Sequence, residues 1–172
     1  LVESLLQARS LGLKVPLVYN TGGYDCVDTL KLLEGIVDIY MPDMKYSSNK
    51  MGSQYSKVSD YWEVNRRAVK EMLRQVGDLD MDDRGIACKG LLVRHLVLPG
   101  GISGSREIFR FIAEEVSKDT YLNIMDQYRP CWKAVNYEEL GRSLTMEEYE
   151  QAVGDALRCG LRRGFGANRG SF

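Results

Sequence analysis

The chain of 172 residues is poor in the residues that most often announce a function. It has one histidine, two tryptophans and four prolines. No apolar run is long enough to cross a bilayer, and no secretory signal pattern is visible. The four cysteines, Cys26, Cys88, Cys131 and Cys159, are scattered with no CxxC pair. That argues against a zinc ribbon or an iron–sulfur motif within this chain, and no metal ligands are assigned. Reduced thiols in a cytoplasmic protein are the expected state. With 23 basic and 24 acidic residues the net charge is −1, so no field draws the chain to nucleic acid or to an anionic membrane. Hydrophobic residues at 44% and charged residues at 27% are an ordinary globular balance. The first residue is Leu1, not Met, and a helical pattern is already under way over residues 1–13. The expectation is a piece of a longer protein whose N-terminus lies upstream.

What is present is a repeated unit. Four short apolar runs, residues 15–19, 36–41, 91–98 and 121–125, each end in a polar cluster. The clusters are Asn20-Thr21-Gly22-Gly23, Pro42-Asp43-Met44-Lys45, Pro99-Gly100-Gly101 and Asp126-Gln127-Tyr128. Helical patterns separate the runs: 25–34, 60–76 with Trp62, Val69, Met72 and Leu73 inward, and 103–117 capped by Ser103. A capping box, Thr145 with Glu148, opens a last helix over 146–161. Residues 47–59 and 78–90 read as loops. Strands alternating with helices predict a parallel α/β sheet, whose ligands bind at the carboxyl ends of the strands. Residues 1–163 read as one domain and 164–172 as a flexible tail.

The polar clusters supply the candidate site. Asp43 and Lys45 are two apart in an extended segment, so they point to one face. A carboxylate beside an ammonium suits a zwitterionic or polyhydroxylated ligand, although such pairs also occur as weak surface ion pairs. Arg94 and His95 interrupt an apolar strand and must face opposite sides. Arg94, costly to bury without an acceptor, is assigned to the site, and His95 to a hydrogen-bonded core position. Asn20 offers an amide beside a permissive glycine turn. Gln127 or Tyr128 can reach an adenine or ribose, or simply form a rim turn. Tyr46, Tyr55, Tyr61 and Trp62 are expected to pack locally, and Cys131 is the thiol nearest a site loop.

Read together, four blocks carry a family resemblance. Val18-Tyr19-Asn20-Thr21-Gly22-Gly23-Tyr24, Asp38-Ile39-Tyr40-Met41-Pro42-Asp43-Met44-Lys45-Tyr46, Leu92-Val93-Arg94-His95-Leu96-Val97-Leu98-Pro99-Gly100 and Asn123-Ile124-Met125-Asp126-Gln127-Tyr128 resemble radical S-adenosylmethionine proteins of the pyruvate formate-lyase activating enzyme branch. The resemblance implies a partial (β/α)6 TIM-like barrel lacking its first two βα units. It implies that Asp43, Lys45 and Arg94 help to hold S-adenosylmethionine, with Gln127, Tyr128 and Asn20 near it. The family's CxxxCxxC motif, which holds a 4Fe-4S cluster, and its Gly-Gly-Glu-type stretch are absent and would lie upstream of Leu1.

The complete protein is then expected to cleave S-adenosylmethionine reductively, giving a 5′-deoxyadenosyl radical that takes hydrogen from a substrate. It would work with an electron donor and with a protein substrate such as a glycyl-radical-type enzyme, and this chain alone would be inactive. No catalytic residue is assigned. Two rivals stand beside this reading. One is a truncated, non-catalytic barrel that binds a nucleotide or a partner. The other is a barrel lyase with Lys45 as a Schiff-base nucleophile, which needs a desolvated lysine.

Overall fold

The computed structural model describes residues 2–165. Helix α1, Val2–Ser10, ends at Gly12, whose φ of +97° lets the chain reverse and lets the Leu13 N–H reach back to the Ala8 carbonyl. Strand β1, Val18–Thr21, is followed by α2, Val27–Lys31, and β2, Ile39–Pro42. A short helix, α3, Asn49–Met51, widens into one π-helical turn, Gly52–Ser56, and α4 runs over Tyr61–Val76. Strands β3, Asp80–Met81, and β4, Ala87–Leu96, form a hairpin. Helix α5, Ser105–Phe111, ends in a π turn, Ile112–Val116; β5, Tyr121–Met125, and α6, Met146–Arg158, complete the chain.

Strands β1, β2, β4 and β5 lie side by side in that order and are all parallel; β3 joins the amino end of β4 antiparallel. Helices α2, α4, α5 and α6 cover one face. Leu91, Val93 and His95 of β4, and Leu122 and Ile124 of β5, turn towards them and are buried. The core consists of these side chains with Leu30, Val69, Met72 and Phe109 among others. Alternation places Leu92, Arg94 and Leu96 of β4, Asn123 of β5 and Asn20 of β1 on the opposite, partly exposed face. A smaller apolar cluster of Tyr46, Tyr61, Leu98, Ile102 and Leu140 closes the carboxyl-end rim.

Several elements differ from the sequence expectation. The third apolar run starts earlier: residues 78–90 are not a loop but the β3–β4 hairpin, in which β4 gains a partner from Ala87 onward. Asp82 holds its tip, accepting from the Arg84 and Ile86 amides at 3.0 and 2.9 Å. Residues 47–59 are not irregular either, since Ser48 caps α3 through the Met51 amide. Ser103 does not cap α5. Its hydroxyl bridges the Leu98 amide and the Leu96 carbonyl, and Gly104, at φ +63°, precedes the helix. The tail predicted over 164–172 lies, after its first two residues, outside the described residues.

Candidate functional site

Asp43 follows the last residue of β2, and Arg94 lies opposite it in parallel register. Arg94 places Nε at 2.8 Å and Nη2 at 2.6 Å from Asp43 Oδ1. Lys45 brings Nζ to 3.3 Å from Asp43 Oδ2. One carboxylate therefore sits between two cations, and the cluster keeps a formal surplus of one positive charge. Its exposure grades outward: 15% for the Asp43 side chain, 26% for Arg94 and 42% for Lys45. A partly shielded charged pair with a solvent-facing ammonium is suited to a ligand that carries both signs of charge. Lys45 is partly exposed and paired with Asp43, not enclosed in the apolar pocket that would suit a Schiff-base lysine.

The loop after β1 is shaped for close approach to this cluster. Gly23 has φ +75°, and a Cβ there would stand 2.2 Å from the Asp43 carbonyl oxygen and 2.3 Å from Asn65 Nδ2. Thr21 fixes the turn by donating to Asp25 at 2.7 Å and accepting from the Gly23 amide at 3.2 Å. Asn20 is exposed on the open face and pairs in register with Met41, two residues before Asp43 on the same face. It is a diagonal neighbour of the cluster, not part of it.

Gln127 and Tyr128 stand on the rim beyond β5. Gln127 is exposed, with Nε2 at 3.8 Å from Met125 Sδ. Tyr128 packs on the rim cluster and donates its hydroxyl to the Leu140 carbonyl at 2.8 Å, so it closes the loop between them. Tyr46 meets Tyr61 edge-on at 5.4 Å and Tyr55 at 6.4 Å, the local packing expected. Trp62 belongs elsewhere, 5.5 Å from Phe111. Cys131 is exposed.

His95 is fully buried. Its Nδ1 lies 2.7 Å from the Met44 carbonyl, which can only accept, so Nδ1 carries the proton and Nε2 accepts from Ser105 Oγ at 2.9 Å. Burial holds the imidazole neutral, pushing its pKa down to about 4. That is the core role expected of it. Burial likewise pushes the Tyr61 phenol well above its usual range.

The sequence names Tyr61 only as a packing residue and does not single out Asn123 or Asn65. Asn123 is exposed directly beside Arg94 in the β4–β5 register, so it shares the row of Asp43 and Arg94 across three strands. An amide between the apolar Leu122 and Ile124 is its available signal. Tyr61 and Asn65 come from α4 and had no local signal.

Among the described residues no three His, Cys, Asp or Glu side chains converge to hold a metal ion, and no helix is long and apolar enough to cross a membrane.

No family model matches the chain. It is 34% identical over 152 residues to an uncharacterized protein of Methanocaldococcus jannaschii, an alignment that takes in 87% of this chain and 40% of that protein. The chain thus spans less than half the length of that relative. In three dimensions it matches the crystal structure of a domain of pyruvate-formate lyase-activating enzyme from Bacteroides vulgatus. The TM-score is 0.65 at 12% identity, covering 97% of this chain and 89% of that one. The chain has the fold of that domain, as the four sequence blocks imply.

Proposed function

We propose that this chain is the S-adenosylmethionine-binding part of a radical S-adenosylmethionine barrel whose cluster ligands lie in a preceding segment. The observation that carries the reading is the Asp43–Arg94 pair with Lys45 beside it, at the carboxyl ends of two adjacent parallel strands in a fold shared with an activating-enzyme domain. Strand order that follows chain order, with α2, α4, α5 and α6 packed on one face, supports a barrel segment. It differs from a doubly wound sheet, whose order reverses at a switch point.

The residues present fit S-adenosylmethionine and do not fit the cluster. The cationic surplus of Arg94 and Lys45 suits the carboxylate of the methionine moiety, and Asp43 suits an ammonium or ribose hydroxyls. Asn20, Asn123, Gln127 and Tyr128 stand around that corner as polar wall. The dispersed cysteines, three exposed and one half-buried, offer no cluster site among the described residues. When bound, S-adenosylmethionine supplies a sulfonium whose one-electron reduction starts hydrogen abstraction from a substrate. The chain's own contribution is to bind and orient it. A protein substrate and an electron donor, in a cytoplasmic setting, complete the proposal.

Calorimetry with S-adenosylmethionine on the complete protein tests the assignment. Asp43→Ala and Arg94→Ala should each weaken binding at least tenfold, on the order of 1.4 kcal/mol. Unchanged affinity in both variants would remove these residues from the site.

A further inference from the structure

We propose that Tyr61, Asn65 and His95 are positioning residues: they clamp the backbone of Asp43-Met44-Lys45 so that Asp43 stays seated on Arg94. The inference rests on the reading of this turn as a ligand site, and its test needs no ligand.

Beyond Pro42 the chain leaves the regular ladder of β2, so its backbone groups require other partners. Two come from backbone: the Asp43 amide donates to the Thr21 carbonyl at 2.9 Å and the Met44 amide to the Arg94 carbonyl at 2.8 Å. The other three come from side chains. Asn65 Nδ2 donates to the Asp43 carbonyl at 3.0 Å. His95 Nδ1 donates to the Met44 carbonyl at 2.7 Å. The Tyr61 hydroxyl accepts from the Lys45 amide at 2.8 Å. All five polar groups from the Asp43 amide to the Lys45 amide are thereby engaged.

The three side chains are 4%, 0% and 0% exposed in the order Tyr61, Asn65, His95. Burying an amide and an imidazole costs free energy that leucine at the same place would not incur. Asn65 even leaves its Oδ1 without a partner. Packing alone does not explain these choices, whereas the backbone they hold does. The Met44 side chain is fully buried, and the clamp keeps Asp43 and Lys45 on the open face to either side of it. A slip of one residue would exchange the faces and take Asp43 off Arg94. Asn65 also donates to the Gly23 carbonyl at 2.9 Å, so one amide ties the loops after β1 and β2 together.

Proton exchange by nuclear magnetic resonance on the complete protein reads the clamp directly. The probes are the Arg94 Nε–H, which donates to Asp43, and the Lys45 amide. H95L and N65A should speed Arg94 Nε–H exchange at least tenfold while the amides of β5 and α6 keep their wild-type rates. H95N, whose amide nitrogen stands where Nδ1 stood, should restore protection. Y61F, which keeps the ring, should speed Lys45 amide exchange at least tenfold. If H95L and N65A do not fold, Y61F and H95N decide. Arg94 Nε–H protection that holds in H95N and falls at least threefold in Y61F supports the clamp. Protection unchanged in Y61F, or lost in H95N, overturns it. Failure of the wild-type protein to bind S-adenosylmethionine would sink the functional reading and leave the clamp standing.

Discussion

At the scale of single residues, strand parity makes Arg94 and His95 legible from sequence. Two polar neighbours in an apolar strand must part, one to each face. Arginine, which cannot shed its charge, needs the face with a carboxylate; the imidazole can be buried neutral. His95 then makes a testable contribution to stability. Its pKa is pushed down by burial to about 4 from an ordinary 6.5, so between those values the unfolded chain binds a proton that the folded chain refuses. Stability is full above pH 6.5 and is lost as pH falls towards 4, by roughly 3 kcal/mol in total. Since this is the only histidine of the chain, comparison with H95N isolates the effect. Urea unfolding should show the wild-type advantage over H95N shrinking steadily from pH 6.5 to 4. A constant difference would mean that the imidazole is not buried neutral. What parity does not reveal is the Met44 carbonyl beneath His95, or Tyr61 and Asn65 from α4. Those contacts arise from how α4 settles on the sheet, which no local spacing encodes.

At the scale of elements, legibility follows how local the determining interactions are. The capping box of α6 lies within four residues and is legible in sequence: Thr145 Oγ1 accepts from the Glu148 amide at 3.2 Å, and Glu148 accepts from the Thr145 amide at 3.0 Å. The β3–β4 hairpin was not, because its acid-rich tip, residues 82–86, resembles a loop and the pairing that makes β4 begin at Ala87 is a tertiary fact. Ser103 misled for the opposite reason. Its residue type suits a cap, yet the tight turn at Pro99–Gly101 brings it back to the end of β4. Glu148 shows what lies beyond the local motif. It also accepts from Arg142 at 2.6 Å, which chiefly holds its carboxyl far below the usual range, and from the Gly100 amide at 2.7 Å. The cap thus ties α6 to the loop after β4. Thr145→Ala should cost about 1 kcal/mol in chemical denaturation. Because Glu148 keeps its Gly100 and Arg142 partners, amide exchange at Gly100 should stay slow. Fast exchange there would show that the cap and the loop form one unit.

At the scale of the whole molecule, the strand order poses the question that the site alone does not. Among the described residues, four parallel strands in chain order with α2, α4, α5 and α6 on one face leave β1 with a partner on one side only and leave Asn20, Arg94 and Asn123 on an open face. In a closed barrel that face is the interior, where converging polar groups meet a ligand from several strands at once. The chain spans 40% of its relative from Methanocaldococcus jannaschii, so the expected companion strands have room to exist in a longer protein. On the proposed reading the cluster ligands belong to such companion segments, since the described residues bring none together. Sequencing in frame upstream of Leu1 is therefore expected to show a CxxxCxxC motif, followed by a glycine-rich strand end. Iron and sulfide reconstitution of the extended protein should then give charge-transfer absorbance that is lost when those cysteines are replaced by alanine. An in-frame stop with no such motif would remove the radical reaction from this protein. Asp43, Lys45 and Arg94 would remain as the binding site of a non-catalytic barrel, because their geometry depends on β2, β4 and α4, all within this chain.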